Sequence, residues 1–251
     1  MKHDLSFIIY SHSSYSDVWA PFFDRTQKHI NHEFADYFLF VDDVPDEKKE
    51  IVPEHFQVVK YADEQTYPER LLTCLTQVKT KCFLFQHEDM ILFDDVNEDV
   101  FQDYVSLMHT QDIDFIKLLK GGAPQDTLAD VPHEDCPSLR HTPKNAQYMV
   151  AIQPSLWNKN SFVTLLENHR KLNIWEFESQ VQSFCREQGY NCFYSFAGTE
   201  RKRGLFHWDS DIYPAICTAI FKGKWTMTEY HKELNEIFET YTVDKTIRGT
   251  C

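Results

Sequence analysis

The chain has 251 residues, with 39 acidic against 25 basic side chains and a formal charge of −14. That surplus excludes a non-specific nucleic-acid binder and a protein held on anionic lipid, since both need an excess of basic groups. A hydrophobic fraction of 42% and an aromatic fraction of 15% exclude global disorder. Glycine is scarce at seven residues, and no GxGxxG or GxxxxGK phosphate loop occurs.

The first half alternates strand and helix spacing. Leu5–Tyr10 is an apolar run that reads as a buried strand ending at Ser11-His12. A helix follows with Trp19, Phe22, Phe23, Thr26 and Ile30 on one face, Pro21 in its first turn, and Ser16 or Asp17 as caps. Tyr37–Val41 is the next strand and stops at Asp42-Asp43; Phe56–Tyr61 is a third. A helix carrying Leu71, Leu72, Leu75 and Val78 leads to a fourth strand, Cys82–Phe85, which runs into Gln86-His87-Glu88-Asp89. The β-α-β-β-α-β order predicts an α/β fold with an open, mostly parallel sheet flanked by helices, whose ligand lies outside the carboxyl ends of the strands.

The second half is less regular. A helix with Val100, Phe101, Tyr104, Val105 and Met108 precedes a strand within 113–119. The segment 121–145, with Pro124, Pro132, Pro137 and Pro143, reads as a long loop. Tyr148–Ile152 reads as a strand. Helices are expected around Phe162–Leu166 and Phe177–Cys185, the second closed by Gly189, and a last one, capped by Thr228, carries Leu234, Ile237, Phe238 and Tyr241. No repeat or linker divides the chain, so one domain over 1–251 is expected.

Seven cysteines without CxxC spacing form neither a disulfide framework nor a zinc module and read as buried thiols. Residues 1–4 lead straight into the first strand without the apolar core of a signal peptide, no run of eighteen apolar residues occurs, and there is no Asn-x-Ser/Thr sequon. These features together predict a cytoplasmic protein with no transmembrane segment.

Glu88-Asp89 is the sharpest feature. An apolar strand runs directly into two carboxylates and then into apolar Met90-Ile91-Leu92-Phe93. Two hard oxygen ligands at a strand end can hold Mg²⁺ or Mn²⁺ while leaving positions open for phosphate oxygens. The same acids also fit a solvated turn.

The strand–acid–strand segment, with Arg70 on the helix before it, resembles glycosyltransferases of the GT-A fold. Tyr15-Ser16-Asp17-Val18-Trp19 with Pro21-Phe22-Phe23, Gln86-His87-Glu88-Asp89, Trp175-Glu176-Phe177-Glu178 and Gly223-Lys224-Trp225 are similar, in order, to sugar transferases of bacterial envelope polysaccharide synthesis and of large DNA viruses. The acidic motif departs from a strict Asp-x-Asp. The resemblance implies transfer of a sugar from a nucleotide-diphosphate donor to a glycan or other hydroxyl acceptor, with residues 1–95 binding the donor and 96–251 facing the acceptor. It implies a metal held by Asp89 and Glu88, with His207 as a third ligand or an ordinary loop histidine.

Donor contacts would come from Tyr10, Ser11, His12, Asp42, Asp43, Arg70, His87 and Glu88. Glu178, or less favourably Glu176, would be the base; alternatively both simply open a helix and favour its dipole. Asp17 either rims the pocket or caps its helix, and Arg201-Lys202-Arg203 either approaches the diphosphate or is a solvated run. The other function class open to the chain is a non-catalytic nucleotide- or glycan-binding domain with a degenerate site.

Overall fold

The computed structural model describes residues 4–122 and 129–251. Residues 1–3, and 123–128 of the expected long loop with its Pro124, lie outside the described residues. The first half forms as the spacing predicts: β1 (Leu5–Tyr10), α1 (Trp19–His29), β2 (Asp36–Val41), β3 (Phe56–Lys60), α2 (Tyr67–Leu75) and β4 (Cys82–His87). The second half contributes α3 (Glu98–Thr110), β5 (Phe115–Lys117), β6 (Leu139–His141), β7 (Ser155–Asn158), α4 (Lys159–Asn168), α5 (Ile174–Glu187) and β8 (Cys192–Ser195). Two short hairpins, β9 (Lys202–Arg203) with β10 (His207–Trp208) and β11 (Ile220–Phe221) with β12 (Lys224–Trp225), precede α6 (His231–Tyr241).

One eight-stranded sheet runs β3-β2-β1-β4-β7-β5-β8-β6. The pairs β1–β2, β2–β3, β1–β4 and β5–β8 are parallel, and only β7 and β6 run against their neighbours. Both faces are covered, which is why β1 is buried at all six positions rather than alternating with polar residues. Leu5, Phe7 and Ile9 point to the face covered by α1, α3 and α6; Ile8 and Tyr10 point to the face covered by α2, α4 and α5. Gly189 ends α5 as expected, at φ 71°, with the Tyr190 and Gly189 N–H groups closing back on Cys185 and Arg186.

Three local expectations are corrected. Tyr148–Ile152 is not a strand, although Met149 and Val150 are buried. Its backbone groups bond to side chains of α5: the Gln182 amide oxygen accepts from the Met149 and Val150 N–H groups at 2.7 and 3.3 Å, and its NH₂ donates to the Val150 carbonyl at 2.9 Å. Glu178 accepts the Ile152 N–H at 2.8 Å. The strand forms just beyond Pro154, as β7, between β4 and β5. Second, α1 has no side-chain cap: Asp17 pairs with Arg248 instead. Third, α6 begins at His231 without a side-chain cap, three residues after Thr228.

Candidate active site

The parallel register sets Tyr10 beside His87, so β1 and β4 deliver Ser11-His12 and Glu88-Asp89 to the same edge. An open cleft of about 1130 Å³ lies over that edge. Tyr10, His12, Tyr67, Arg70, His87, Glu88 and Asp89 line it, together with Asn173, Trp175 and Glu176 at the start of α5 and the tip of the β11–β12 hairpin from Ile220 to Gly223. That tip turns through Lys222 and Gly223 at φ 49° and 79°, the paired left-handed conformation that makes glycine the favourable second residue.

The wall around Tyr10 is aromatic. Tyr61 stacks on Tyr10 with ring centroids 5.4 Å apart and planes 9° off parallel, and Tyr67 meets Tyr10 edge-on. The Tyr61 hydroxyl donates to the Ser11 carbonyl at 2.6 Å, while the Ser11 hydroxyl accepts from the Trp19 indole at 2.7 Å. Ser11 is therefore fully buried and positions the strand end rather than lining the cleft. The His87 ring lies 3.2 Å from the Tyr67 hydroxyl, and burial pushes its pKa down to about 3, so it faces the cleft as a neutral imidazole.

Arg70 is fixed by the way its helix begins. The Glu69 carboxylate accepts from the Thr66 N–H and hydroxyl at 3.0 and 2.9 Å, a capping box that sets the first turn of α2. The Arg70 guanidinium then lies 5.0 Å from the Tyr61 ring centre, donates to the Gln65 carbonyl at 2.9 Å and pairs with Asp63 at 2.7 Å. His12 bridges Asp63 and Asp42 at 3.2 and 3.5 Å. Asp42 holds the loop after β1 by accepting the Ser13 N–H and hydroxyl, both at 2.6 Å; those bonds outweigh its partial burial and keep its pKa below the ordinary value. Asp43 does not join this group: it pairs with Lys60 at 2.5 Å on the exposed surface.

Glu88 and Asp89 are the electrostatic anomaly. Among the described residues neither has a cationic partner within 4.0 Å, although Glu88 is only 6% exposed. Burial, then the charge of Asp89, pushes Glu88 well above the ordinary carboxyl range. Burial pushes Asp89 up to about 7, against a hydrogen bond from the Ile220 N–H. Two such groups side by side do not both ionise without a counter-charge. The nearest help is Arg248, whose field reaches both while its own side chain pairs with Asp17 and lies 4.4 Å from the Tyr15 ring centre. A hard divalent cation fits this pair, with its remaining positions left for phosphate oxygens.

The other expected site residues fall elsewhere. His207 is buried, stacks on Tyr230 at 5.5 Å and faces Glu229 at 3.4 Å; burial lowers its pKa to about 4. It does not line the cleft, and among the described residues no three His, Cys, Asp or Glu side chains form a metal cluster. The expected third ligand is therefore not assembled with Glu88 and Asp89, because the β9–β10 hairpin carries His207 into the α6 side of the molecule. Arg203 pairs with Asp209 and Glu233 at 2.8 and 2.5 Å rather than reaching the cleft.

The Trp-Glu-Phe-Glu segment does open a helix. The Asn173 side chain accepts from the Trp175 and Glu176 N–H groups at 3.0 Å each, and Glu176 returns the bond to the Asn173 N–H at 3.0 Å. Helical spacing turns Glu176 to the cleft and Glu178 inward. Glu178 lines a separate apolar void of about 10 Å³ among Tyr67, Phe85, Trp157 and Phe177, and burial raises its pKa. Its bond to the Ile152 N–H makes it a positioning group for the 149–152 segment. Glu178→Gln keeps an acceptor for that N–H, so thermal stability and turnover are expected to stay near wild type. A hundredfold fall in turnover at unchanged donor affinity would return Glu178 to the role of base.

Tyr61, Tyr67, Asn173 and Arg248 were not anticipated from the sequence. Asn173 carries a readable signal, an Asn three residues before a Glu at the start of an apolar-periodic run. Arg248 carries none, since it reaches Asp17 across 231 positions of sequence.

No family model matches the chain, and no curated protein matches it. Among solved structures, residues 1–349 of S. aureus TarS match at 13% identity, over 99% of this chain and 68% of that one, with a TM-score of 0.48. The complex of the same TarS fragment with UDP-GlcNAc matches at 15% identity over 82% and 58%, with a TM-score of 0.49. A cytidylyltransferase from Leptospira borgpetersenii matches at 10% identity over 97% of each chain, with a TM-score of 0.48. The fold is α/β, with a mostly parallel sheet flanked by helices. Its open mixed sheet, with an acidic strand end at the mouth of a cleft, is plain in the molecule itself.

Proposed function

We propose that the protein is a glycosyltransferase that takes a sugar from a nucleotide-diphosphate donor, with Mn²⁺ or Mg²⁺ bound at Glu88 and Asp89. One observation carries this reading: a buried and a half-buried carboxylate, Glu88 and Asp89, without a cationic partner among the described residues, open into a cleft large enough for a nucleotide sugar. A divalent ion held there supplies the positive charge that a leaving diphosphate requires. The chain's own residues do the rest. Arg70, donating to the Tyr10 hydroxyl at 3.4 Å, offers its guanidinium to the base and ribose, and His12, tethered by Asp42 and Asp63, closes the side of that pocket. The Ala219 N–H donates to the Asp89 carbonyl at 3.1 Å and so ties the start of the β11–β12 hairpin to the strand end.

Glu176 is the carboxylate facing the acceptor side and is the candidate to receive the acceptor proton. All seven cysteines are free and six are buried, which supports the cytoplasmic placement read from the sequence. No helix among the described residues is long and apolar enough to cross a membrane.

The test is a hydrolysis and thermal-shift screen of UDP-, GDP-, TDP- and CMP-sugars with and without Mn²⁺. Slow hydrolysis of one donor without acceptor, abolished by chelator, is expected. Saturable binding with no turnover, with or without a panel of glycan acceptors, would make the protein a binding domain instead.

A further inference from the structure

Two elements that line the cleft lie far apart in sequence. The loop after β1 contributes His12, Ser14 and Tyr15, and the β11–β12 hairpin contributes Ile220 to Gly223. Residues 244–251, after α6, bond to both. Next to the hairpin, the Trp225 N–H donates to the Gly249 carbonyl at 3.1 Å and the Cys251 N–H to the Trp225 carbonyl at 2.9 Å. The Met227 N–H then donates to the Cys251 carbonyl at 3.2 Å, and Thr250 bridges Trp225 in parallel register. Trp225 is fully buried, so this attachment is anchored in the core.

The same segment grips the loop through one side chain. Arg248 donates from Nε to one Asp17 carboxylate oxygen at 2.7 Å and from Nη2 to the other. Nη2 also donates to the Ser14 carbonyl at 2.7 Å, and the guanidinium lies 4.4 Å from the Tyr15 ring centre. The Arg248 side chain is 9% exposed and that of Asp17 22%, so this forked pair is largely withdrawn from water, where charge-assisted bonds are strong. The residues that it fixes, Ser14 and Tyr15, belong to the cleft lining. Arg248 itself does not line the cleft.

We infer that Arg248 is a positioning residue: its pair with Asp17 clasps the β11–β12 hairpin to the loop after β1 and sets how these two elements meet the nucleotide. The inference rests on the glycosyltransferase reading above and adds a residue that acts through Ser14, Tyr15 and the hairpin. Without the guanidinium, the Ser14 carbonyl, the Asp17 carboxylate and the Tyr15 ring lose a shared partner. The main-chain bonds of residues 249–251 to Trp225, and of Ala219 to Asp89, remain. The loss therefore falls on the alignment of the cleft rather than on the fold, and small misalignments are costly where a ligand must be held in one geometry.

The test uses the whole chain and breaks the pair from each partner, with Arg248→Met, Asp17→Ala and the double variant. Hydrogen exchange is measured on the free proteins. Asp17→Ala should speed exchange severalfold at the Trp225 and Cys251 N–H groups, and Arg248→Met at those of Ser16 and Val18, in each case across the pair from the substitution. Binding of UDP, GDP, TDP and CDP with Mn²⁺ is then measured by calorimetry. For the diphosphate that wild type binds best, each single variant should bind about tenfold more weakly, and the double variant no more weakly than either, because both remove one interaction. Arg248→Lys, which keeps the charge without the fork, should fall between wild type and Arg248→Met. Affinity lost with Arg248→Met but kept with Asp17→Ala overturns the inference, by making Arg248 a direct phosphate ligand. Losses that multiply in the double variant, or exchange that quickens only beside the substituted residue, also overturn it. Unchanged affinity with a lowered melting temperature overturns it too, by leaving the pair a role in stability alone. Failure of every nucleoside diphosphate to bind wild type would instead strike the glycosyltransferase reading, while exchange across the pair still decides whether the clasp exists.

Discussion

Asp89→Asn is expected to lower nucleotide-sugar turnover by about 10³-fold or more, because it removes a charge that neutralises the leaving group through the bound ion. The fold should survive. The amide matches the carboxylate in size, the main-chain bond from Ala219 to the Asp89 carbonyl is untouched, and the substitution removes one of two crowded charges. Measured without divalent ions, the variant should therefore melt at or a few degrees above wild type, since an uncompensated buried charge costs stability. Mn²⁺ should raise the melting temperature of wild type and not of the variant.

The sign of the pH effect follows from the same pair. Burial raises Asp89 from 3.8 to about 7, so between those values the folded chain binds more protons than the unfolded one. Stability of the metal-free protein should then fall as pH rises through that window, and Mn²⁺ should restore it on the alkaline side, where the carboxylates are free to bind it. Full turnover by Asp89→Asn, or an Mn²⁺ shift that persists in it, would remove Asp89 from the metal site.

Gln182→Leu should be among the most damaging single changes outside the cleft. Gln182 is 4% exposed and serves two N–H groups and one carbonyl of Met149 and Val150, none of which has a sheet partner. Leucine matches its size and abandons all three. Each buried backbone group left unpaired costs about 1–3 kcal/mol, so a loss of roughly 3 kcal/mol or more is expected, or on the order of 10 °C in melting temperature. Denaturant unfolding monitored by fluorescence measures it directly. A change below roughly 1 kcal/mol would show that 149–150 find other partners when α5 withdraws its amide.

That segment also marks where local pattern stops being informative. Tyr148–Ile152 has the apolar run of a strand, and it is buried as a strand would be at Met149 and Val150. Periodicity reports that a segment is buried; it does not report which groups satisfy its backbone. Here the answer lies on α5, about thirty residues further along. The paired acids divide on similar grounds. Asp42 and Asp43 are neighbours at one strand end, yet alternation sends Asp42 to Ser13 and His12 and Asp43 outward to Lys60. Glu176 and Glu178 are separated by two positions, which is one face of a strand but opposing directions on a helix, and the Asn173 cap decides for the helix.

The sequence by itself determined the alternating strand–helix order of the first half, the mostly parallel sheet it implies, the acids at the end of β4 and the stop at Gly189. These are local signals, carried by hydrophobic period and by residues whose backbone preferences act within a turn. The tertiary structure alone decided that β7 enters between β4 and β5, that Arg248 reaches Asp17 beside the carboxylates, and that His207 packs on Tyr230 away from them. Each of these depends on contacts between residues dozens to hundreds of positions apart, whose energy comes from shape and charge met only after the chain has folded. The acidity of the chain belongs to both: its amount is written in the composition, but only the fold shows that Glu88 and Asp89 line one cleft without a cationic partner among the described residues.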